Sequence, residues 1–172
     1  MNVLVATDGQ LDPELVGSFA KPLTSSGGSV TVLTVIEIPR RLLAELRAHY
    51  GAMEGAVVDR DAEYVGGAMA VDTAPTGWPG DDAVLQRYLH DKRIEYTGPM
   101  VTHLEAMGVA VTGEVVEGEN AAATILATLK EGDYNVVLIG SHGQGLFEGL
   151  LGSTGTRLTR HAPCPVLVLR SE

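Results

Sequence analysis

Short, nearly unbroken aliphatic runs, spaced by helix-like segments, restrict what this chain can fold into. Asn2 to Thr7, Val30 to Ile36, Asn135 to Ile139 and Cys164 to Leu169 each read as strands apolar on both sides. Such strands need cover on both faces, which an open parallel sheet flanked by helices provides. Val109 to Val116 alternates more and suits a sheet edge or a partly covered strand.

The segments between the strands carry helix punctuation. Asp12-Pro13 supplies an N-cap and then proline at the first helical position, with Leu15, Val16 and Phe19 at helical spacing behind it. Pro22 is expected to shorten or bend that helix. Asn120 caps another, with Ile125, Leu126 and Leu129 on one stripe and Gly132 as its stop. Ser153 to His161 is the last helix. Asp81 to Met107 has helical spacing, but Gly98-Pro99 inside it predicts a break or kink, and Gly108 ends it.

Arg40 to Tyr50 fits a short amphipathic helix, and Gly51 to Gly80 is rich in Gly, Ala and Asp with weak periodicity. A connection this long inside a compact domain is functional or disordered. The reading is one domain, 1–172, with an insertion at about 40–80 after strand two. That insertion leaves at the carboxyl end of strand two. It is expected to form a lid or an arm that contacts an unknown protein partner, with Trp78 as an anchor.

Charge and composition exclude several classes. A net charge of -10 repels nucleic acid and anionic membranes, so neither is an expected partner. No apolar run reaches the roughly 18 residues of a spanning helix. The start lacks a basic segment and enters a strand at once, so no signal peptide is expected. Cys164 is the single cysteine, which rules out an internal disulfide and suits a reducing compartment. It lies between two prolines and reads as a buried, inert thiol. The expected location is cytoplasmic. His49, His90 and His103 lack ligand spacing, so no metal site is expected there.

One stretch carries chemistry. Val136 to Ile139 ends at Gly140-Ser141-His142-Gly143, and Gly152-Ser153-Thr154 follows at a helix start. A buried strand feeding a glycine loop and a helix N-terminus lets backbone N–H groups converge on an anion. Strand one ends at Asp8-Gly9. If it neighbours strand four, Asp8 shares that crevice and can accept a hydrogen bond from a ribose hydroxyl or an exocyclic amine. Gly140, Gly143 and Gly152 let the backbone approach a phosphate, whereas Gly149 and Gly155 read as turn glycines.

Competing motifs fail. No G-x-x-x-x-G-K-[ST] is present. Gly143-Gln144-Gly145 is half a dinucleotide fingerprint, but it follows the fourth strand, and no acidic residue ends the next one; a hydride-transfer enzyme is not expected. No Lys or Arg lies between Gly140 and Gly152, and Glu148 sits inside the loop. Phosphate charge then falls to N–H groups, the helix N-terminus, a divalent cation, or Arg157.

The segment from Val137 through Gly143, Gly152-Ser153, and Arg157 to Val168 resembles the universal stress protein family. Val3-Leu4-Val5-Ala6-Thr7-Asp8-Gly9 is similar to that family's opening strand and aspartate, and Thr34 to Glu37 to its second strand end. Arg40 to Gly98 carries no nameable resemblance. The resemblance implies a Rossmann-like α/β fold, adenine nucleotide alpha hydrolase-like, with an open five-stranded parallel sheet in the order 3-2-1-4-5. It also implies a homodimer through strand 164–169, and an apolar final strand needs pairing or cover in any case.

In the ATP-binding branch the implied pattern is G-x2-G-x9-G-[ST]. Thr7, Asp8 and Val35 would then lie at the adenosine end, and Gly140, His142, Gly143, Gly152, Ser153 and Thr154 around the phosphates. Here eight residues, Gln144 to Leu151, separate Gly143 from Gly152. The implied cofactor is ATP or another adenine nucleotide, accompanied by Mg2+ or Mn2+. The expected function is an adenine-nucleotide-binding stress-response regulator that holds its ligand. The alternatives are a nucleotide-free dimeric interaction module and a slow ATPase, for which Asp8 and His142 are the candidates to handle water.

Overall fold

A computed structural model describes residues 1–37, 81–141 and 151–170. Its elements run β1 (Val3–Ala6), α1 (Pro13–Thr24), β2 (Val30–Ile36), α2 (Asp81–Ala106), β3 (Val111–Glu117), α3 (Ala121–Glu131), β4 (Val136–Gly140), α4 (Ser153–His161) and β5 (Val166–Leu169). The chain divides into two units, Met1–Ile38 with Leu89–Glu172, and Pro39–Tyr88. Of the second, only the Asp81–Tyr88 turns of α2 are described. The expected helix at Arg40–Tyr50, Trp78 and the 40–80 insertion lie outside the described residues.

The five strands form one parallel sheet in the order β3-β2-β1-β4-β5. Val3 sets the central register, standing opposite Val30 on one side and Val136 on the other. A polar clasp starts the β1–β4 pairing. Asn2 N–H donates to Asn135 Oδ1 at 2.7 Å, and Asn135 N–H donates back to Asn2 O at 2.8 Å.

Side-chain alternation along buried strands splits the core into two layers. Val3, Val5, Val30, Val32 and Leu138 face α1 and α2, where Val16, Ala20, Met100 and Leu104 meet them. Leu4, Ala6, Leu33, Val137 and Ile139 face α3 and α4, against Ile125, Leu126, Leu129 and Leu158. Each fully buried Leu or Val contributes about 1.5–3 kcal/mol relative to exposure. β1, covered on both sides by these layers, is the centre of the core.

The caps read from sequence are in place. Asp12 Oδ1 accepts the Glu14 N–H at 2.9 Å, and Asn120 Oδ1 accepts the Ala123 N–H at 2.9 Å. Pro22 does not shorten α1, which runs on to Thr24. The break expected at Gly98-Pro99 is also absent, because α2 is continuous to Ala106. Interior proline costs roughly 3 kcal/mol. Here Thr97, Met100 and Leu104, buried on both sides of Pro99, anchor the helix through it.

Two glycines let α2 approach closely. A Cβ on Gly113 would run into Thr97, and one on Gly17 would lie 2.5 Å from Met107 Sδ. The helix ends as expected at Gly108, whose N–H donates to Glu105 O while Val109 N–H donates to Leu104 O.

The two sheet edges differ. β3 alternates and exposes Thr112, Glu114 and Glu117, and the two glutamates discourage pairing with another chain. β5 carries Val166, Leu167 and Val168 only partly buried.

Candidate functional site

The sheet reverses its winding between β1 and β4. α1 leaves β1 for one face, whereas α4 follows β4 onto the other, so the connections part above the strand ends. In a doubly wound sheet this is where a crevice opens. A cleft of about 620 Å³ lies there, within the range of small-ligand sites.

Two chemically different surfaces line it. Leu33, Val35, Ile125, Ile139 and Leu158 supply an apolar wall from β2, α3, β4 and α4. Thr7, Asp8, Gln10, Ser141 and Thr154 supply a polar one, with Gly140, Gly152 and Gly155 between. Asp8 is the only charged side chain among the described lining residues.

The turn after β1 presents Asp8. Thr7 N–H donates to Leu33 O at 3.0 Å, and the Thr34 hydroxyl donates to Thr7 O at 2.9 Å, fixing the strand end. Past it, Thr7 Oγ1 accepts the Gly9 N–H at 3.0 Å and Asp8 Oδ1 accepts the Gln10 N–H at 3.2 Å. Gly9 has φ 88°, in the left-handed region that favours glycine.

On the opposite side α4 begins at Gly152. This N-cap has no side chain, and no side-chain cap bond is made. The first-turn N–H groups of a helix lack intrahelical partners and carry its positive dipole end. Thr156 Oγ1 turns back instead to Leu151 O, at 3.1 Å. The side chain of Leu151 packs on Gly155, where a Cβ would come within 2.5 Å of Leu151 Cδ1.

Of the residues singled out from sequence, Thr7, Asp8, Val35, Gly140, Gly152 and Thr154 line this one cleft. Ser153 opens α4 beside it and is exposed. His142 and Gly143 lie outside the described residues. Gly155, read as a turn glycine, is on the cleft wall. Sequence reasoning also missed Leu33, Ala121 and Ile125. Leu33 was findable, because it lies two residues before Val35 and so shares its side of the strand.

Among the described residues no group of three or more His, Cys, Asp or Glu could hold a metal ion. None of their helices is long and apolar enough to cross a membrane. Cys164 is half-buried at the end of the sequence Ala162-Pro163 leading to β5, and burial pushes its thiol up, a backbone hydrogen bond partly opposing.

The sheet order and the crevice at its reversal define an open, doubly wound α/β protein. A sequence model of the universal stress protein family matches residues 1–170, and the chain belongs to that family. Solved structures share its fold. The hypothetical protein MJ0577 aligns at TM-score 0.62 and 18% identity, over 99% of this chain and 96% of that one. A universal stress protein in complex with cAMP gives 0.54 and 14%, over 100% and 98%. The universal stress protein from Archaeoglobus fulgidus in complex with dAMP gives 0.52 and 18%, over 98% and 96%.

Proposed function

We propose that this cleft binds an adenine nucleotide, with ATP as a ligand that is held and not consumed, and that the protein is a cytoplasmic stress-response regulator. The observation that carries the reading is one cleft with an apolar wall at Leu33, Val35 and Ile125 and an uncapped helix start at Gly152. A flat apolar base suits the first surface; an anionic phosphate suits the second. Relatives of the same fold in complex with cAMP and dAMP support the choice of base.

In this reading Thr7, Asp8 and Val35 meet the adenosine, and Gly140, His142, Gly143, Gly152, Ser153 and Thr154 surround the phosphates. Asp8 accepts from the sugar or the base. Mg2+ or Mn2+ arrives with the phosphates and offsets charge that no described lining cation meets. Turnover is not part of the proposal. Asp8 is the only titratable side chain among the described lining residues, and phosphoryl transfer needs several groups on the reacting oxygens. Two chains pair through strand 164–169, covering Val166 to Val168, and the 40–80 insertion of the single 1–172 domain offers a surface to a protein partner.

The test is the nucleotide content of purified, acid-denatured protein by absorbance and chromatography, with a thermal melt in Mg-ATP beside it. A ligand at a hundred times its Kd stabilises by about 2.7 kcal/mol, which a melt resolves. Asp8→Ala is expected to weaken binding about tenfold. Sub-stoichiometric nucleotide and an unmoved melting temperature would sink the proposal. They would favour the nucleotide-free interaction module, to which the one-residue-shorter loop already points. Phosphate release that scales with protein and dies with Asp8→Ala would instead mark a slow ATPase.

A further inference from the structure

We infer that Tyr96 of α2 is a positioning residue for Asp8, acting as a stop behind the turn that follows β1. Its value to a ligand rests on the nucleotide reading above; its hold on the turn does not.

Tyr96 closes directly on the residue after Asp8. A Cβ on Gly9 would lie 2.8 Å from Tyr96 Cδ1, so only a glycine lets the ring close this far on the turn, and the Tyr96 Cα at 3.6 Å sits in ordinary contact. The turn's bonds include the Gly9 N–H to Thr7 Oγ1 and the Gln10 N–H to Asp8 Oδ1. Both are exposed to solvent, where water competes for the same groups. Packing against α2 therefore adds to what these exposed bonds hold.

Space exists on both sides. In front is the ligand cleft, walled in part by Thr7, Asp8 and Gln10. Behind is a second cavity of about 180 Å³, lined by Thr7, Gly9, Gln10, Tyr96, Pro99 and Met100 among others. The turn is therefore a thin partition. Without the Tyr96 ring it has room to settle back and carry Asp8 off the cleft wall.

The stop is itself well fixed. Its neighbour Thr97 is buried and seated on Gly113, and Met100 is buried in the layer between α2 and the sheet. Lys92 Nζ lies 5.0 Å from the Tyr96 ring centroid, one helical turn back, and is paired with Glu95. A cation over the ring face favours this orientation.

The experiment reads the turn first and the ligand second, on the full chain. Amide order parameters of Gly9 and Gln10 are measured by NMR relaxation without nucleotide. Tyr96→Ala is expected to lower them from about 0.85 toward 0.6, and Tyr96→Phe to leave them near the wild-type value. Tyr96→Leu, which keeps apolar bulk on α2, replaces the alanine variant should that one not fold. Order parameters unchanged in Tyr96→Ala, or in Tyr96→Leu where it replaces that variant, overturn the proposal, whatever the protein binds.

Mg-ATP titrations follow in a double-mutant cycle. Tyr96→Ala is expected to weaken binding about tenfold in the wild-type background and not at all in Asp8→Ala. An equal loss in both backgrounds means that Tyr96 acts elsewhere and overturns the proposal. If wild-type protein binds no Mg-ATP, the nucleotide reading fails and the order parameters alone decide the role of Tyr96.

Discussion

Helices α1 and α4 both begin just beyond a strand at the carboxyl end of the sheet, yet only one closes its own end. α1 starts from Asp12, whose carboxylate takes the Glu14 N–H, and adds Glu14 to the first turn. α4 starts from Gly152, with no side-chain cap bond and no acid in its first turn. Ser153 and Thr154, residues suited to capping, stand one and two positions too late. A side-chain cap contributes about 1 kcal/mol. The chain takes that stabilisation at α1 and forgoes it at α4, beside the cleft. If the cleft binds a nucleotide as proposed, stability and recognition draw on the same kind of N–H group, and sequence decides which is served at each helix.

Gly152→Asp breaks the comparison most severely. Gly152 has φ -59° and ψ 174°, a backbone that aspartate adopts without strain. The new carboxylate would cap α4, raising the melting temperature by about 2–4 °C. It would also occupy first-turn donors and repel phosphate, so Mg-ATP affinity should fall about 10- to 100-fold. Calorimetric titration and a melt on the same sample read both effects, and a variant that gained stability with full affinity would refute the contrast.

Asp12→Ala is the converse. Urea unfolding should show a loss of about 1 kcal/mol, within a range of 0.5–2, while nucleotide affinity stays put. A large affinity loss there would mean that the α1 end serves the ligand too.

The smallest effect concerns the far end of α4. Cys164, just beyond its C-terminus, has its thiol pushed up by burial. At mildly alkaline pH a thiolate-selective reagent should label native protein severalfold more slowly than the urea-unfolded chain, the gap narrowing as pH rises. The sign for stability follows. A thiol raised in the fold contributes stability that is fully present below its unfolded value. That contribution is lost as pH rises through the folded one. Equal labelling rates in the two states would contradict a thiol shielded by the fold.

The elements were legible because local chemistry and burial agree in them. Asp12-Pro13, Asn120 and Gly108 act in the structure as their types suggest. The strand order was not contained in the aliphatic runs themselves; it came with the resemblance of Val3 to Gly9 and Val137 to Val168 to a known family. α2 runs unbroken through Pro99, where a break or kink was expected, because buried Thr97 on one side and Met100 and Leu104 on the other hold the helix. The cleft's glycine and aspartate rim could be read from types and spacing. Its floor could not. Ile125 and Leu158 obey the same periodic stripe as any core residue, and only their position under the sheet's reversal point makes them line a cavity. Tyr96 carried no signal at all, since its contact with Gly9 joins distant parts of the chain.

The placement of β1 at the centre of the sheet also orders events during synthesis. Of the five strands of the sheet β1 is made first, and β2 can cover one of its edges early. Its other edge must wait for β4, since Val3 pairs with Val136. Until then a fully apolar strand stands with an open row of backbone groups, and pairings between distant segments close slowly. The growing chain therefore passes through a long interval in which its most buried strand is its most adhesive surface. Holding that edge until β4 emerges is a task that the finished fold no longer shows.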